Sequence, residues 1–210
     1  GSNDNYSWNH GVEGPTGDAK INALRLRQAK NLFVINLMSV GTPMIQMGDE
    51  TLRTQRGNNN VYCQDNPISW LNWQPELHGR EMLRFVTELL RYRAVLKEEP
   101  RSFFSLEQAL ENATIDWQGV QPFQPDWSEN SHVLGLSAYD PTHDVDVYAF
   151  FNAWWEPLTV TLPPPAHSPH GHWKRFCDTG LLPPADITPL GCDYAEILSS
   201  EYKTAPRSVV

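Results

Sequence analysis

The sequence predicts an α+β protein in which a helical first half precedes an antiparallel β-sandwich. Two observations predict this class. Apolar residues recur with a helical period of about 3.6 positions before residue 100 and at every second position beyond it. The alternating segments of the second half are short, and turns rich in Pro and Gly separate them. We therefore expect two domains, residues 1–100 and residues 101–210.

The first predicted helix follows a polar loop over residues 3–17. Asp18 or Thr16 has the side chain to cap its N-terminus. Two apolar stripes at helical spacing then extend over residues 20–40. Gly41 follows them, and because it lacks a Cβ it readily takes the left-handed conformation that ends a helix.

A strand and a second helix are predicted next. Residues 42–47 form a short apolar segment that leads into Asp49 and Glu50. Helix, two-residue turn and strand make an αβ unit, which requires a parallel neighbour, yet no other buried strand in the chain is followed by a helix. The second helix is predicted over residues 80–97. We expect its arginines to lie on a solvated or salt-bridged surface: Arg84, Arg91 and Arg93.

The second half is predicted to contain about seven short strands, which is typical of a β-sandwich. Alternation is clearest over residues 145–151 and 158–162. The other predicted strands cover residues 114–118, 132–139, 173–178, 194–198 and 206–210.

Composition restricts the possible partners and the compartment. Sixteen basic and 25 acidic residues give a formal net charge of -9, which argues against a nucleic-acid partner and suits a neutral, polyhydroxylated ligand. The longest apolar-rich run, residues 32–38, is too short to span a bilayer, so we expect no membrane association. Three widely spaced cysteines indicate neither a disulfide framework nor a zinc site, which favours a cytoplasmic location.

Several polar side chains are candidates for catalysis or metal binding. Asp49 and Glu50 resemble an acid–base pair, but adjacent strand residues point to opposite sides, so we expect loop bracing or ligand binding instead. The histidines His167, His170 and His172 are separated by Pro and Gly and are expected in a surface loop rather than at a metal. His143 and Asp144 are expected in a turn. No phosphate-binding or dinucleotide motif occurs, and we expect no cofactor.

The loop over residues 53–73 allows two interpretations. Its side chains suit sugar hydroxyls, with amides and carboxylates for hydrogen bonds and an aromatic ring for stacking. Alternatively, its Asn and Asp side chains bond to their own backbone. The residues concerned are Arg53, Asn58, Asn59, Asn60, Tyr62, Gln64, Asp65 and Asn66.

Motifs along the whole chain resemble the glycogen-debranching, isoamylase-type enzymes of the α-amylase superfamily. In the first half they are residues 11–16, 25–28, 41–44, 48–50, 53–55, 57–60, 62–66 and 70–73. In the second half they are residues 125–128, 152–158 and 206–210.

The resemblance implies a retaining α-1,6-glucosidase that removes branches from glycogen or related α-glucans. In that family a (β/α)8 barrel carries an Asp nucleophile, a Glu acid/base and a stabilising Asp, with nucleophile and acid/base about 5 to 5.5 Å apart. Those three segments have no counterpart in this chain. We therefore expect a C-terminal barrel fragment of two helices and the last strand, followed by the β-sandwich. This fragment is expected to be inactive.

Only residues after the last barrel strand can be carried over from the family. Asp65 resembles an acidic residue that contacts sugar hydroxyls. Arg53 and Tyr62 are candidates for the same cleft wall, and Glu13 belongs to a loop that rims it. The resemblance provides no catalytic residue in this chain.

Two further expectations follow. The alternative function is a carbohydrate-binding module whose sandwich presents Trp154, Trp155 and Trp173. In either case, a barrel remnant exposes apolar surface, so we expect self-association through Phe33, Leu37 and Ile45.

Overall fold

A computed structural model of the chain describes residues 7–39, 41–96, 115–140, 144–167 and 171–210. Two helices, α1 (Ala19–Met38) and α2 (Leu77–Leu96), flank a 3₁₀ turn at Asp49–Thr51. The described residues then form eight strands: β1 (Ile115–Gln118), β2 (Val133–Asp140), β3 (Val145–Asn152), β4 (Leu158–Thr161), β5 (Trp173–Arg175), β6 (Ala195–Ile197), β7 (Glu201–Thr204) and β8 (Ser208–Val209). The predicted domain boundary near residue 100 lies outside the described residues, as do His143 and His170.

Both predicted helices are confirmed. Asp18 caps α1, since its Oδ1 accepts hydrogen bonds from the amides of Lys20 at 2.8 Å and Ile21 at 3.3 Å. Gly41 has a φ of 100°, as expected, but lies two residues beyond the C-cap Ser39. Helix α2 approaches the 3₁₀ turn closely at Gly79, where a Cβ would lie 2.7 Å from the carbonyl oxygen of Thr51.

The predicted strand at residues 42–47 is not formed in this structure. This segment has no strand partner among the described residues, and it is tied to α1 by a 2.9 Å hydrogen bond from Asn36 Nδ2 to the Met44 carbonyl. The physical reason is that a parallel strand needs a neighbouring strand for its hydrogen bonds, and the described strands pair elsewhere. Glu50 instead braces the turn, accepting a hydrogen bond from the Gly48 amide at 2.8 Å.

The second half is antiparallel and β-rich, as predicted. Strands β1, β2, β3 and β8 form one four-stranded sheet in that order, while β4 pairs with β7 and β5 with β6. The long β2–β3 ladder places Leu136 opposite Ala149. Strand β7 was not predicted, because its sequence, Glu-Tyr-Lys-Thr, is short and mostly polar.

One hydrophobic core joins the helices to the β-rich half. Phe33, Val34 and Leu37 of α1 pack with four residues of α2 and with Cys177, Ile187 and Val209. Phe33 and Leu37, which were expected to be exposed, are therefore buried. The exposed apolar residues of α1 are instead Leu32 and Ile35.

Buried charges reinforce this core. Asp186 is fully buried and bonds Lys30 of α1 at 2.6 Å and also Arg84 of α2. Arg91 pairs with Glu88 at 2.7 Å, as a salt-bridged surface predicts.

Arg93 contradicts its predicted surface position. It is buried and donates to the carbonyl oxygens of Leu37, Ser39 and Gly41, because the last carbonyls of a helix have no partner within the helix.

The histidines and the turn before β3 are seen only in part. His167 pairs with Asp146 at 3.0 Å and stacks on Tyr139. Asp144 has a φ of 53° and accepts a 2.9 Å hydrogen bond from the Tyr139 hydroxyl, which confirms its turn role. Within the described ranges, no three His, Cys, Asp or Glu side chains come together as metal ligands. Neither described helix has the length and apolarity to cross a membrane.

Candidate functional site

The loop of residues 48–73, which begins with the 3₁₀ turn, is supported by its own asparagine side chains. The Oδ1 atoms of Asn58, Asn60 and Asn66 accept hydrogen bonds from backbone amides two residues further on, at 2.9, 3.1 and 2.9 Å. The self-bonded interpretation is therefore confirmed for these three residues. Because the carboxamide oxygens are used in this way, the loop is held in shape without regular secondary structure.

Arg53 joins the two ends of this loop. Its guanidinium donates to Gln55 Oε1 at 3.2 Å and to the carbonyl of Ser69 at 3.0 Å. Its side chain also packs on Gly48, where a Cβ would lie 2.6 Å from Arg53 Cδ. Gly48 has a φ of 102°, so both its conformation and this contact require glycine. Arg53 thus braces the loop by connecting Gln55 to Ser69.

Asp65 lies at the exposed surface of the loop. Its Oδ1 accepts a 2.8 Å hydrogen bond from the indole N–H of Trp70. Arg53 donates to the carbonyl of Ser69, so the hydrogen-bond partners of Arg53 and Asp65 are consecutive residues of the loop. Tyr62 and Trp73, which belong to the same loop, are 96% and 82% exposed. Carboxylate oxygens and free ring faces are the groups that bind sugar hydroxyls and the apolar faces of pyranose rings.

Glu13 approaches the same loop from the N-terminal side. Its Oε2 accepts a 3.3 Å hydrogen bond from Asn9 Nδ2, and a Cβ built on Gly57 would lie 3.8 Å from its Oε1. The structure therefore brings the Glu13 side chain close to Gly57. Arg53 and Asp65 bond to two consecutive residues, Ser69 and Trp70. All four predicted site residues lie in or next to the loop of residues 48–73.

The titratable groups of this region do not form an acid–base pair. Partial desolvation raises the pKa of the Asp49 carboxyl, while hydrogen bonding to Gln46 and the charge of Arg53 oppose the rise. The neighbouring Glu50 is committed to the Gly48 amide.

An apolar groove of about 640 Å³ lies between α1 and the segment before the 3₁₀ turn. Its walls include Leu32, Phe33, Ile35, Met44, Ile45 and Leu52, with Asp49 and Arg53 at the polar side. Its chemistry suits packing by another protein segment better than binding of a sugar.

Residue-by-residue reasoning missed two side chains that shape the site. Trp70 was recognised as part of a motif but not as the donor to Asp65. Arg25 was not selected, although it donates to three backbone carbonyls of the loop that carries Glu13. The signal in both cases is a long side chain with hydrogen-bond donors near a loop that lacks regular structure.

The aromatic residues of the β-rich half are arranged differently. Trp154 stacks on Trp155 with ring centroids 3.5 Å apart, and Trp155 remains 54% exposed. Trp173 is half-buried and donates to the carbonyl of Pro163 at 2.7 Å. Of the three tryptophans in the alternative hypothesis, only Trp155 has a largely exposed ring.

Comparison with known proteins identifies the family. The model of the isoamylase 1-3 C-terminal family matches residues 116–206. Isoamylase 1, chloroplastic, of Oryza sativa subsp. japonica is 36% identical over 187 residues, which is 89% of this chain and 22% of the relative. Isoamylase 3, chloroplastic, of the same species is 34% identical over 212 residues, covering the whole chain and 25% of the relative.

A bacterial relative matches less of the chain more strongly. The glycogen operon protein GlgX homolog of Mycobacterium tuberculosis (strain ATCC 25618 / H37Rv) is 50% identical over 93 residues, which is 44% of this chain and 13% of the relative. The chain spans about a quarter or less of the length of the curated relatives it matches. It belongs to the isoamylase-type family of debranching enzymes and corresponds to the C-terminal part of such an enzyme.

Proposed function

We propose that this chain serves a debranching hydrolase that cleaves α-1,6-glucosidic branch linkages in glycogen or related α-glucans. The observation that carries the proposal is the loop of residues 48–73. Its asparagine side chains support its backbone, Trp70 Nε1 holds the Asp65 carboxylate, and Tyr62 and Trp73 of the same loop are exposed. The names of the relatives, isoamylase and glycogen debranching enzyme, support an α-glucan as the ligand.

The chemistry of the reaction belongs to residues outside this chain. Retaining glycosidases need two carboxyl groups about 5 to 5.5 Å apart, one as nucleophile and one as acid/base. The described part of the chain supplies Asp65 and Glu13 as binding groups and no such pair in the loop. We infer that the catalytic carboxylates precede this chain in the full-length enzyme and that the 210 residues alone are inactive.

Residues 7–96 are best explained as the end of a (β/α)8 barrel. Residues 42–47 connect the two helices but have no neighbouring strand in the described chain. Their apolar pattern becomes a paired eighth strand once a parallel neighbour is supplied. In that arrangement the loop of residues 48–73 follows the strand at its carboxyl end, where barrel enzymes place their ligands.

The free thiols of Cys63, Cys177 and Cys192 favour a reducing compartment such as the cytoplasm.

Titration calorimetry with maltooligosaccharides tests the binding role. We expect the 210-residue chain to bind them weakly, and we expect Asp65→Ala to abolish the binding. Asp193→Ala, an exposed Asp outside the loop, is the matched control and is expected to bind as the wild type does. Binding that is unchanged in Asp65→Ala would contradict the role of the loop.

A reducing-sugar assay on branched glucan tests whether this chain contributes to binding while catalysis depends on residues outside it. We expect no turnover by the 210-residue chain and turnover by the full-length enzyme, with a raised KM in Asp65→Ala because a binding group is lost. Turnover by the short chain at the level of a normal glycosidase would overturn the proposal.

The exposed ring of Trp155 favours one alternative, a carbohydrate-binding module in the β-rich half. The same calorimetry distinguishes the two functions. Affinity that is lost in Trp155→Ala but kept in Asp65→Ala would support the module.

A further inference from the structure

The loop that carries Glu13, residues 8–14, has no regular secondary structure and adopts an unusual backbone. His10, Gly11 and Gly14 all have positive φ angles, 61°, 94° and 71°. Asn9 accepts two backbone hydrogen bonds from within the loop. Its Oδ1 accepts from the Gly11 amide at 2.9 Å, and its carbonyl accepts from the Val12 amide at 3.4 Å. Positive φ is uncommon for a residue other than Gly, and two arginine side chains from outside the loop contact this segment.

Arg25 of α1 is the first support. Its Nη1 donates to the carbonyl of Gly14 at 2.8 Å, and its Nη2 donates to the carbonyls of Asn9, at 2.8 Å, and Val12. One planar guanidinium thus spans the loop from its start to its end. A lysine ammonium cannot copy this fork geometry.

Arg207, next to β8, is the second support. Its guanidinium lies over the Trp8 ring, 5.2 Å from the centroid, and Trp8 stacks on His10 at 4.1 Å. The stack therefore links the left-handed residue to Arg207 through the Trp8 ring. Because both arginines are cationic and the imidazole is partly buried, the pKa of His10 is lowered, by desolvation first and by these charges second.

The position of Arg207 is itself fixed by the helices and the sheet. Its amide donates to the carbonyl of Trp154 at 2.9 Å, and its carbonyl accepts from Asn31 Nδ2 at 2.8 Å. Arg27 Nη1 donates to the preceding carbonyl, that of Pro206, at 2.9 Å. The backbone at Arg207 is therefore held from α1 and from the segment after β3 at the same time.

We propose that Arg25 and Arg207 are positioning residues for Glu13, so that the β-rich half helps to set the loop that rims the glucan cleft. This inference rests on the proposed function for the meaning of Glu13, but the coupling itself concerns contacts made within the chain. In this proposal both arginines act through the loop and not through contact with the ligand. Arg25 fixes the backbone of the loop, and Arg207 fixes its aromatic start.

Amide hydrogen exchange on the 210-residue chain tests the coupling without any ligand. In Arg25→Lys and in Arg207→Gln we expect the amides of Gly11 and Val12 to exchange at least about tenfold faster, while the amides of α2 keep their protection. Arg207→Lys retains a cation over Trp8 and is expected to restore part of the protection. Arg56→Gln is the matched control, since Arg56 is an exposed arginine with a similar φ of 54°. Unchanged exchange in both Arg25→Lys and Arg207→Gln would overturn the inference.

A second measurement links the coupling to function. In the full-length enzyme we expect Arg207→Gln and Glu13→Ala to raise KM for branched glucan to a similar degree with little change in kcat, because both disturb binding rather than chemistry. A lowered kcat at unchanged KM in Arg207→Gln would overturn the positioning role. If the wild-type enzyme does not act on glucan at all, the proposed function fails, while the exchange result still decides the coupling.

Discussion

At the scale of single residues, Asp65 owes its orientation to one donor. The indole N–H of Trp70 reaches its Oδ1 at 2.8 Å, and the second carboxylate oxygen accepts no hydrogen bond from the described part of the chain. A surface carboxylate without such a partner samples several rotamers and loses entropy when it binds. The pairing therefore fixes Oδ1, while Oδ2 accepts no hydrogen bond from the described residues.

Trp70→Phe tests this pairing. We expect glucan affinity to fall about fivefold, because a hydrogen bond to a charged group that is worth about 1 kcal/mol at the surface is lost while the ring stays. The thermal unfolding midpoint is expected to stay almost unchanged. Trp73→Phe is the control, since the Trp73 ring is exposed and its indole makes no side-chain hydrogen bond within the described chain. Equal affinities of the two variants, measured by calorimetry, would contradict the role of Trp70.

The sequence predicted Asp65 but not its partner. A loop dense in Asn, Asp and aromatic residues is visible from composition alone, and short-range bonds such as Asn58 to Asn60 follow from the residue types. The Trp70 bond depends on how the loop folds back over five residues, which no local pattern specifies. Arg53 was predicted to contact the ligand, and its bond to Ser69, which lies 16 positions away, likewise has no local signal.

At the scale of elements, α1 is held at both ends by arginines that serve backbone carbonyls. Arg25 serves the loop before the helix, and Arg93 of α2 serves Leu37, Ser39 and Gly41 at its end. The last carbonyls of a helix have no partner within the helix. Arg93 supplies one and also fixes the direction in which the chain leaves α1 toward the loop of residues 48–73.

Arg93→Gln is expected to destabilise the protein by about 2 to 3 kcal/mol, because buried carbonyls lose a charged donor. Arg93→Lys is expected to lose a similar amount, since an ammonium cannot serve three separated carbonyls. Arg91→Gln is the control on the same helix. Its side chain is 62% exposed and pairs with Glu88, so a change under about 1 kcal/mol is expected. Urea unfolding of the three variants gives the comparison, and equal losses for residues 91 and 93 would refute it.

Elements whose pattern is local were predicted well. The helices follow from apolar spacing and from the cap at Asp18, and most strands follow from alternation. The strand predicted at residues 42–47 did not form, because strand pairing is non-local. An apolar pattern shows that a segment is compatible with a buried strand, but it does not show whether a neighbouring strand is present. Arg93 failed for a related reason, since its partners lie more than 50 positions away.

At the scale of the whole molecule, Asp186 is the buried charge on which the two halves meet. Its Oδ2 bonds Lys30 and its Oδ1 bonds Arg84, so one carboxylate joins α1, α2 and the segment after β5. Lys30 is almost completely buried and also lies 5.4 Å from the centroid of the Phe85 ring. The carboxylate is the group that compensates this cation.

Asp186→Ala is expected to destabilise the fold by about 3 to 5 kcal/mol, because it leaves the Lys30 ammonium buried without its counter-charge. Asp186→Ala combined with Lys30→Met is expected to recover much of this loss. Glu196→Ala serves as the surface control, since its pair with Lys174 is exposed on both sides and should change stability by less than about 1 kcal/mol. Thermal unfolding measures all of them. A double variant no more stable than Asp186→Ala would show that shape, not charge, is at fault.

The apolar face of α1 carries the prediction of self-association. Leu32 is 67% exposed and lines the groove beside Met44 and Ile45. We expect the 210-residue chain to dimerise at rising concentration in sedimentation velocity, and we expect Leu32→Glu to prevent this. Leu198→Glu changes an equally exposed leucine in the β-rich half and should leave association intact. A wild-type chain that stays monomeric throughout would contradict the prediction.

The shared core also sets an order of events during synthesis. Asn31 of α1 and the carbonyl of Arg207 are hydrogen-bonded across 176 positions, and Val209 completes the packing around Phe33 and Leu37. While a ribosome is still translating the β-rich half, both helices have already emerged with that side of their core uncovered. Until residue 209 has been synthesised, the apolar side chains of α1 lack part of their cover, and exposed apolar surface of this kind favours aggregation.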